Sequence, residues 1–242
     1  MSYNSFAFVY DELTDDVAYE KRAEYIAKIL SKNYCKGGIL LDLACGTGTL
    51  ATYLASYGYD MILSDLSADM LSIAAEKLPD ALIICQDMRK IKLYADVDAV
   101  VCSLDSVNHL TKPADVKKTF AAVSKHLKKG GVFVFDMNTP YKHECVLGNN
   151  TFVYETDNAY LVWQNYYKKR SKTVDICLDI FFSEGDSYVR EYEEFSERAY
   201  EIDEICQWLY EAGFSVSGIY DDMKFTKPKD DSQRVYISAV KL

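Results

Sequence analysis

Between residues 38 and 137 the chain repeats one pattern: an apolar run of five or six residues, a break of small or acidic residues, then a stretch with helical spacing. Strands this apolar have no wet face, so they belong inside a sheet covered on both sides, and connections long enough to hold a helix make neighbouring strands parallel. The runs fall at residues 38–43, 60–64, 82–86, 98–103 and 132–137. Helical spacing joins them over residues 49–57, over a stretch capped by Ser67, and over residues 112–129, which Gly130-Gly131 should end. A further helix is expected before the first strand, over residues 16–30, with Tyr19, Ala23, Ile26 and Leu30 on one face.

Near residue 146 the period changes to two. Val174, Ile176, Leu178, Ile180 and Phe182 alternate with Asp175, Cys177 and Asp179, and similar alternation runs through residues 152–156, 160–167 and 188–198, with a turn at Glu184-Gly185-Asp186-Ser187. These segments predict a small antiparallel β lobe over residues 147–197, inserted into an α/β domain made of residues 1–146 and 198–242. Helical spacing returns over residues 202–212, stopped by Gly213, and two strands follow at 215–220 and 234–240. The loop between them, with Pro228, is too short for a crossover, so they form a hairpin and the last strand runs antiparallel. The expected fold class is α/β: a doubly wound, mostly parallel seven-stranded sheet with an antiparallel last strand, plus the inserted lobe.

Net charge narrows the partners. At −10 the chain lacks the basic face that grips a phosphate backbone, and Lys117, Lys118, Lys125, Lys128 and Lys129 interleave with Val116, Phe120, Val123 and Leu127 as the wet side of an amphipathic helix. Nucleic acid is therefore not an expected partner. No leader pattern and no run of ~20 apolar residues is present, so a cytoplasmic protein with no membrane partner is expected. Seven cysteines without a C-x-x-C pair read as free thiols, with no metal site. In the lobe, Tyr154, Tyr160, Trp163, Tyr166, Tyr167, Tyr188 and Tyr192 are numerous enough both to pack it on the core and to wall a pocket for a small organic molecule. The acidic run Glu191, Glu193, Glu194 and Glu197 reads as a wet strand edge.

The chemistry concentrates at ILLDLACGTGTLA, residues 39–51, where a buried strand meets a glycine turn. G-x-G-x-x-A at residues 46–51 also fits a dinucleotide fingerprint, so a nicotinamide-dependent oxidoreductase has to be weighed. Asp42, at the strand end before the glycines, suits the cationic part of a ligand and would repel a pyrophosphate. Asp65, at the end of the second strand, can accept from ribose hydroxyls, and Asp87 beside Met88, after the third, offers an acceptor for an exocyclic amine next to an apolar contact for a purine. Three acids at three successive strand ends line the crevice where open α/β sheets bind ligands. No hydride-transfer constellation is recognisable.

LDLACGTG, SDLSADML, CQDMRK and GGVFVFDMN together resemble the first motif, ribose segment, adenine segment and fifth strand of class I S-adenosylmethionine-dependent methyltransferases, over residues 35–140 and the terminal hairpin. The opening FAFVYDELTDDVAYEKRAEYI and the lobe resemble a small bacterial branch that includes aminosugar N-methyltransferases. The resemblance implies S-adenosylmethionine as cofactor, held by Asp42, Ala44, Gly46, Gly48 and Asp65, by Leu66, Met70, Asp87 and Met88, and by Ser103 and Tyr3. Ala44 stands where many members have glycine; a tighter turn with binding kept is expected. The resemblance further implies that Tyr10 reaches the cofactor at the methyl-transfer site; Asn108 and His109, just past the fourth strand, would face the acceptor and complete the expected catalytic set, with His109 able to accept a proton. The acceptor does not follow from the resemblance; the negative charge and the aromatic lobe favour methyl transfer to a small molecule, most simply an amine. A non-catalytic cofactor-binding regulatory module remains an alternative, because binding and catalysis use largely separate residues.

Overall fold

The computed structural model describes residues 10–185 and 187–242. Five strands carry the apolar runs: β1 (Gly38–Leu43), β2 (Tyr59–Asp65), β3 (Leu82–Cys85), β4 (Val97–Cys102) and β5 (Leu127–Asn138). Helices α1 (Tyr19–Lys32), α2 (Thr49–Ala55), α3 (Ala68–Lys77) and α4 (Pro113–His126) surround them. A second group follows, β6 (Thr151–Glu155), β7 (Ala159–Lys168), β8 (Thr173–Glu184) and β9 (Ser187–Arg198), and the chain closes with α5 (Ile202–Glu211), β10 (Phe214–Asp221) and β11 (Arg234–Lys241).

The main sheet has the order β10-β11-β5-β4-β1-β2-β3, parallel from β3 to β5, with β11 antiparallel to both its neighbours. Its two faces carry separate cores. One packs Phe120 of α4 and Trp208 and Leu209 of α5 on Phe133 and Phe135; the other packs Ile26, Ile29 and Leu30 of α1 and Leu54 of α2 on Leu40 and Leu63. A strand covered on both faces needs no polar side, which is why β1, β4 and β5 read as continuous apolar runs. Strands β6-β7-β8-β9 form a second, antiparallel sheet with its own core of Leu147, Leu161, Val174, Ile176, Leu178 and Ile180. No helix among the described residues is long and apolar enough to cross a membrane.

Two expected boundaries move. The helix expected over residues 16–30 breaks at Ala18, which is left-handed (φ 55), leaving a short 3-10 turn (Asp15–Val17) before α1. The helix expected to reach residue 129 ends at His126, and residues 127–131 are already strand, with Leu127 paired to Val97 across a register shift. Gly131 is needed there: a Cβ would lie 2.8 Å from the Lys128 carbonyl and 3.0 Å from that of Asp98. The two glycines that look like a helix stop are the tight start of a bulged strand.

Candidate active site

A single cavity of about 1340 Å³ runs from the carboxyl ends of β1, β2 and β4 to the inner face of the small sheet. Tyr10, Asp42, Ala44, Gly46, Asp65, Leu66, Met70, Asp87, Met88, Ser103 and His109 all line it. Tyr3, with the neighbouring aromatics Phe6 and Phe8, lies outside the described residues. Two expected residues do not reach the cavity wall. Gly48 (φ 72) is a packing turn whose Cβ would stand 3.0 Å from that of Ala74, and Asn108 is fully buried as a brace. Its amide donates to the carbonyls of Asn138 (3.2 Å) and Arg198 (2.8 Å) and its oxygen accepts from the Asn138 N–H (2.9 Å). Asn108 therefore ties the end of β5 to the end of β9, and the structure does not bring it to the cavity beside His109 as expected.

At the glycine end, backbone geometry and acids act together. Ala44 (φ 59) and Gly46 (φ 56) are both left-handed, so the tight turn tolerates alanine at the expense of some strain. Asp65 accepts from the Gly46 N–H and the Ser67 N–H, both at 2.9 Å, pinning the turn to β2. A carboxylate has about four acceptor sites, so two remain for hydroxyl donors. Asp42 is 2% exposed and its Oδ2 has no hydrogen-bond partner among the described residues. Burial, with the charge of Asp65 behind it, pushes this carboxyl up to about 7. An orphaned acid facing a cavity is what a cationic ligand would satisfy, so the residues present fit the sulfonium and ammonium charges of S-adenosylmethionine. Ser103, 5% exposed, adds a second unpartnered oxygen on the same wall.

Asp87 differs from expectation. Its carboxylate is clamped by Arg89, with Nε at 2.8 and 3.0 Å from the two oxygens and Nη2 at 2.5 Å, and Arg89 also reaches Asp115 at 3.2 Å. The Arg89 guanidinium holds the Asp87 carboxyl below the usual range. The acceptor foreseen for an exocyclic amine is already shared with a cation that the sequence reading passed over.

The segment after residue 9 closes one side. Asp11 accepts from Thr47 (2.7 Å) and Thr49 (2.8 Å) of the glycine turn and pairs with Lys77 of α3. Next to it, Glu12 accepts from Asn158 (2.9 Å) of the small sheet, and Leu13 packs on that sheet's core. Tyr10 is placed by both anchors. Burial raises its hydroxyl far above the ordinary tyrosine range, so it stays protonated and serves as a donor and a wall, not as a base.

The far end of the cavity is polar in a way the sequence reading did not anticipate. Leu104 and Asp105, just past β4, are successive left-handed residues (φ 56 and 53), a conformation costing on the order of 1 kcal/mol each. Asp136 holds them by accepting from their N–H groups at 2.8 and 3.2 Å. Arg234 of β11 pairs with Asp136 and, at 2.7 Å, with Asp105. Burial raises Asp105, but the Arg234 charge outweighs it and leaves the carboxyl well below its usual value. Asn138 donates to Asp105 (2.8 Å) and accepts from Lys142 (3.0 Å). His109 lines the cavity half exposed, stacked on Phe195 with centroids 5.0 Å apart. Glu197, expected at a wet edge, is 4% exposed, and Glu191 and Glu193 also face the cavity. β9 is an edge strand, yet these three acids share the phase of its inward face, opposite Ile180, Leu178 and Val174. The signal for Asp105 was available, since it is an acid just past a strand end like Asp42 and Asp65.

A doubly wound sheet with the β5-β11-β10 closing hairpin, a glycine turn flanked by Asp42 and Asp65, and a β lobe over the strand ends together define a nucleoside-sulfonium methyltransferase site. The model of a family described as a methyltransferase domain matches residues 40–131. The solved structure of an S-adenosylmethionine-dependent methyltransferase from Clostridium acetobutylicum superposes with a TM-score of 0.89 at 34% identity, covering 99% of this chain and 98% of that one. YqeM of Bacillus subtilis (strain 168), provisionally named a methyltransferase, is 33% identical over 245 residues, covering 100% of this chain and 98% of its own. A Streptomyces fradiae dTDP-3-amino-3,6-dideoxy-alpha-D-glucopyranose N,N-dimethyltransferase is 34% identical over 118 residues, 49% of this chain and 46% of that protein. The chain belongs to the S-adenosylmethionine-dependent methyltransferases, and the oxidoreductase and non-catalytic readings fall away.

Proposed function

We propose that this methyltransferase acts on the nitrogen of a small amine enclosed between the strand ends and the β lobe. The observation that carries the reading is the composition of the cavity's far wall. Phe152, Tyr154, Trp163 and Phe195 line it beside Glu191 and Glu193, two part-buried carboxylates with no ion-pair or hydrogen-bond partner among the described residues. Burial, then the neighbouring Glu191, raises the Glu193 carboxyl. A cationic amine relieves both charges and suits the ring faces, whereas a polyanion would be repelled. The volume exceeds that of an ordinary single-ligand pocket, leaving room for cofactor and acceptor together. A relative named for N,N-dimethylation supports nitrogen as the atom.

The cofactor, when bound, supplies an electrophilic methyl carbon on a sulfonium, which needs a lone pair in line behind it. In our reading Asp42 faces the cationic part of that molecule, the backbone of Ala44 and Gly46 lies along it, Asp65 receives ribose hydroxyls, and Leu66, Met70 and Met88 bracket the purine. Ser103 stands between the two ends. His109 accepts the proton that an ammonium must lose before its nitrogen can attack. The lobe, residues 147–197, serves as the lid that excludes water. Incubation with methyl-labelled cofactor and, side by side, a fractionated small-molecule extract, bulk tRNA and ribosomal RNA tests the reading. Label in the basic small-molecule fraction is expected; robust RNA labelling with none in that fraction overturns it.

A further inference from the structure

Glu197 sits where the lobe meets the main sheet, and its surroundings are unusual for a carboxylate. It is 4% exposed and lines the cavity, yet no lysine or arginine among the described residues is paired with it. Its Oε1 lies 3.8 Å from Nε2 of His109, on the 3-10 turn after β4 (Ser106–His109). Its Oε2 lies 3.2 Å from Nε2 of the fully buried His143, on the π-helical turn after β5 (Lys142–Leu147), though not along a hydrogen-bond direction, and accepts from Asn138 Nδ2 at 3.3 Å. Two residues earlier on the same strand face, Phe195 stacks on the His109 ring at an interplanar angle of 29°.

A buried carboxylate without a cation is costly unless donors surround it. The nearby cation, Lys142, spends its hydrogen bond on Asn138, and Arg234 spends its own on Asp105 and Asp136. On the cavity side, the His109 imidazole stands nearest Oε1, while His143 lies buried on the other oxygen. A lone pair on Nε2 facing the carboxylate would be repelled, so Nε2 carries the proton and, in the neutral ring, Nδ1 keeps the lone pair. The 3.8 Å separation is about 0.9 Å longer than a hydrogen bond, a gap that lid closure over an acceptor can take up.

We infer that Glu197 is a positioning residue for methyl transfer: its carboxylate, with the Phe195 ring, fixes His109 in the Nε2–H tautomer and turns Nδ1 toward the acceptor. The inference rests on the proposed acceptor site under the lobe. The proton moves from the acceptor ammonium to Nδ1, the N–H bond breaking as the Nδ1–H bond forms. The imidazolium left behind is balanced by Glu197, and the freed amine lone pair is the nucleophile. Asp105, past β4, interacts electrostatically with His109, and the charges of Arg234 and Lys142 act on Asp105 in turn.

The test uses the full chain with Glu197→Gln and Glu197→Asp. In ¹⁵N-labelled protein the wild-type His109 ring should show an unprotonated Nδ1 and a protonated Nε2, and Glu197→Gln should shift it toward a tautomer mixture. For that variant kcat should fall about tenfold or more, as lost orientation does, while S-adenosylhomocysteine affinity stays within twofold. Glu197→Asp, which keeps the charge, should retain more activity than Glu197→Gln and keep the tautomer bias. Identical imidazole spectra and equal kcat in wild type and Glu197→Gln would overturn the inference, and so would a fall in kcat matched by loss of cofactor affinity and melting temperature. The imidazole spectrum needs no acceptor, so a Glu197-dependent tautomer in an enzyme that labels no amine supports the positioning and counts against the amine reading alone.

Discussion

The two ends of the cavity are built by different means. The cofactor end comes from one contiguous stretch, residues 42–48, with Asp65 accepting from the Gly46 N–H of that stretch at 2.9 Å. The end we assign to the acceptor is assembled from Asp105, Asn138, Lys142, Glu197 and Arg234, carried by four separate parts of the chain. A site made by backbone conformation imposes its demands locally; one made by side chains meeting across two sheets leaves each residue looking ordinary until the fold brings it home. The comparison also assigns different fragilities, because the first end depends on one unpaired acid and the second on the linked contacts of Asp105, Asn138, Lys142 and Arg234.

The largest effect should come from removing one end altogether. Replacing residues 149–196 by a short Gly/Ser linker should abolish methyl transfer while S-adenosylhomocysteine still binds, because the lobe's core is separate from the two cores of the main sheet. Label transfer reads the first quantity and calorimetry the second; loss of binding in a folded product would show that the ends are not independent.

Asp42 should give the next largest change. Its folded carboxyl titrates at about 7 against an ordinary 3.8. Below pH 3.8 both folded and unfolded chains hold the proton. Between 3.8 and 7 the unfolded chain has released it and the folded one has not, so the ligand-free protein loses stability as pH rises, and above 7 the loss is complete. Asp42→Asn should therefore be more stable than wild type at pH 8 by up to about 4 kcal/mol, with no difference near pH 4, and should bind the cofactor more weakly. Denaturant melts at the two pH values measure this. Asn108→Ala should cost about 3 kcal/mol at any pH, since it strands the Asn138 N–H and two carbonyls in the interior, without moving cofactor affinity. Asp65→Ala should cost about 1.5–3 kcal/mol of S-adenosylhomocysteine binding through lost charged hydrogen bonds. Unchanged affinity there would remove the ribose role and leave Asp65 as a brace for the turn.

These contrasts follow what could be read from the residues. The order of strands and helices, the two-residue period of the lobe and the antiparallel closing hairpin were legible because each is a local periodicity. Asp42 and Asp65 were legible as acids at strand ends along the crevice, and Ala44 as a tight turn, though not its left-handed backbone. The helix end at His126 was not, because Gly130-Gly131 carries the same letters for a helix stop and a bulged strand, and only the pairing of Leu127 with Val97 decides. Asn108 looked catalytic because the whole segment just past the fourth strand was expected to face the acceptor; in a 3-10 turn adjacent residues point apart, and Asn108 is buried where His109 lines the cavity. Glu197 looked wet because it follows three other acids, although its two-residue phase with Glu191 and Glu193 placed it on the inner face beside Val174. Asp87 was found and its clamp was missed, since Arg89 lies only two residues away and reads as part of the same polar turn.

The central claim is that cofactor and acceptor divide one cavity, with the charged face of β9 belonging to the acceptor. A crystal structure of the chain with S-adenosylhomocysteine and the amine that takes up label tests it most directly. The account predicts the amino acid portion of S-adenosylhomocysteine against Asp42 and the amine nitrogen between that portion and the Glu191–Glu193 face, within reach of His109. An acceptor bound outside the lobe, or a cofactor whose charged end lies away from Asp42, would contradict it.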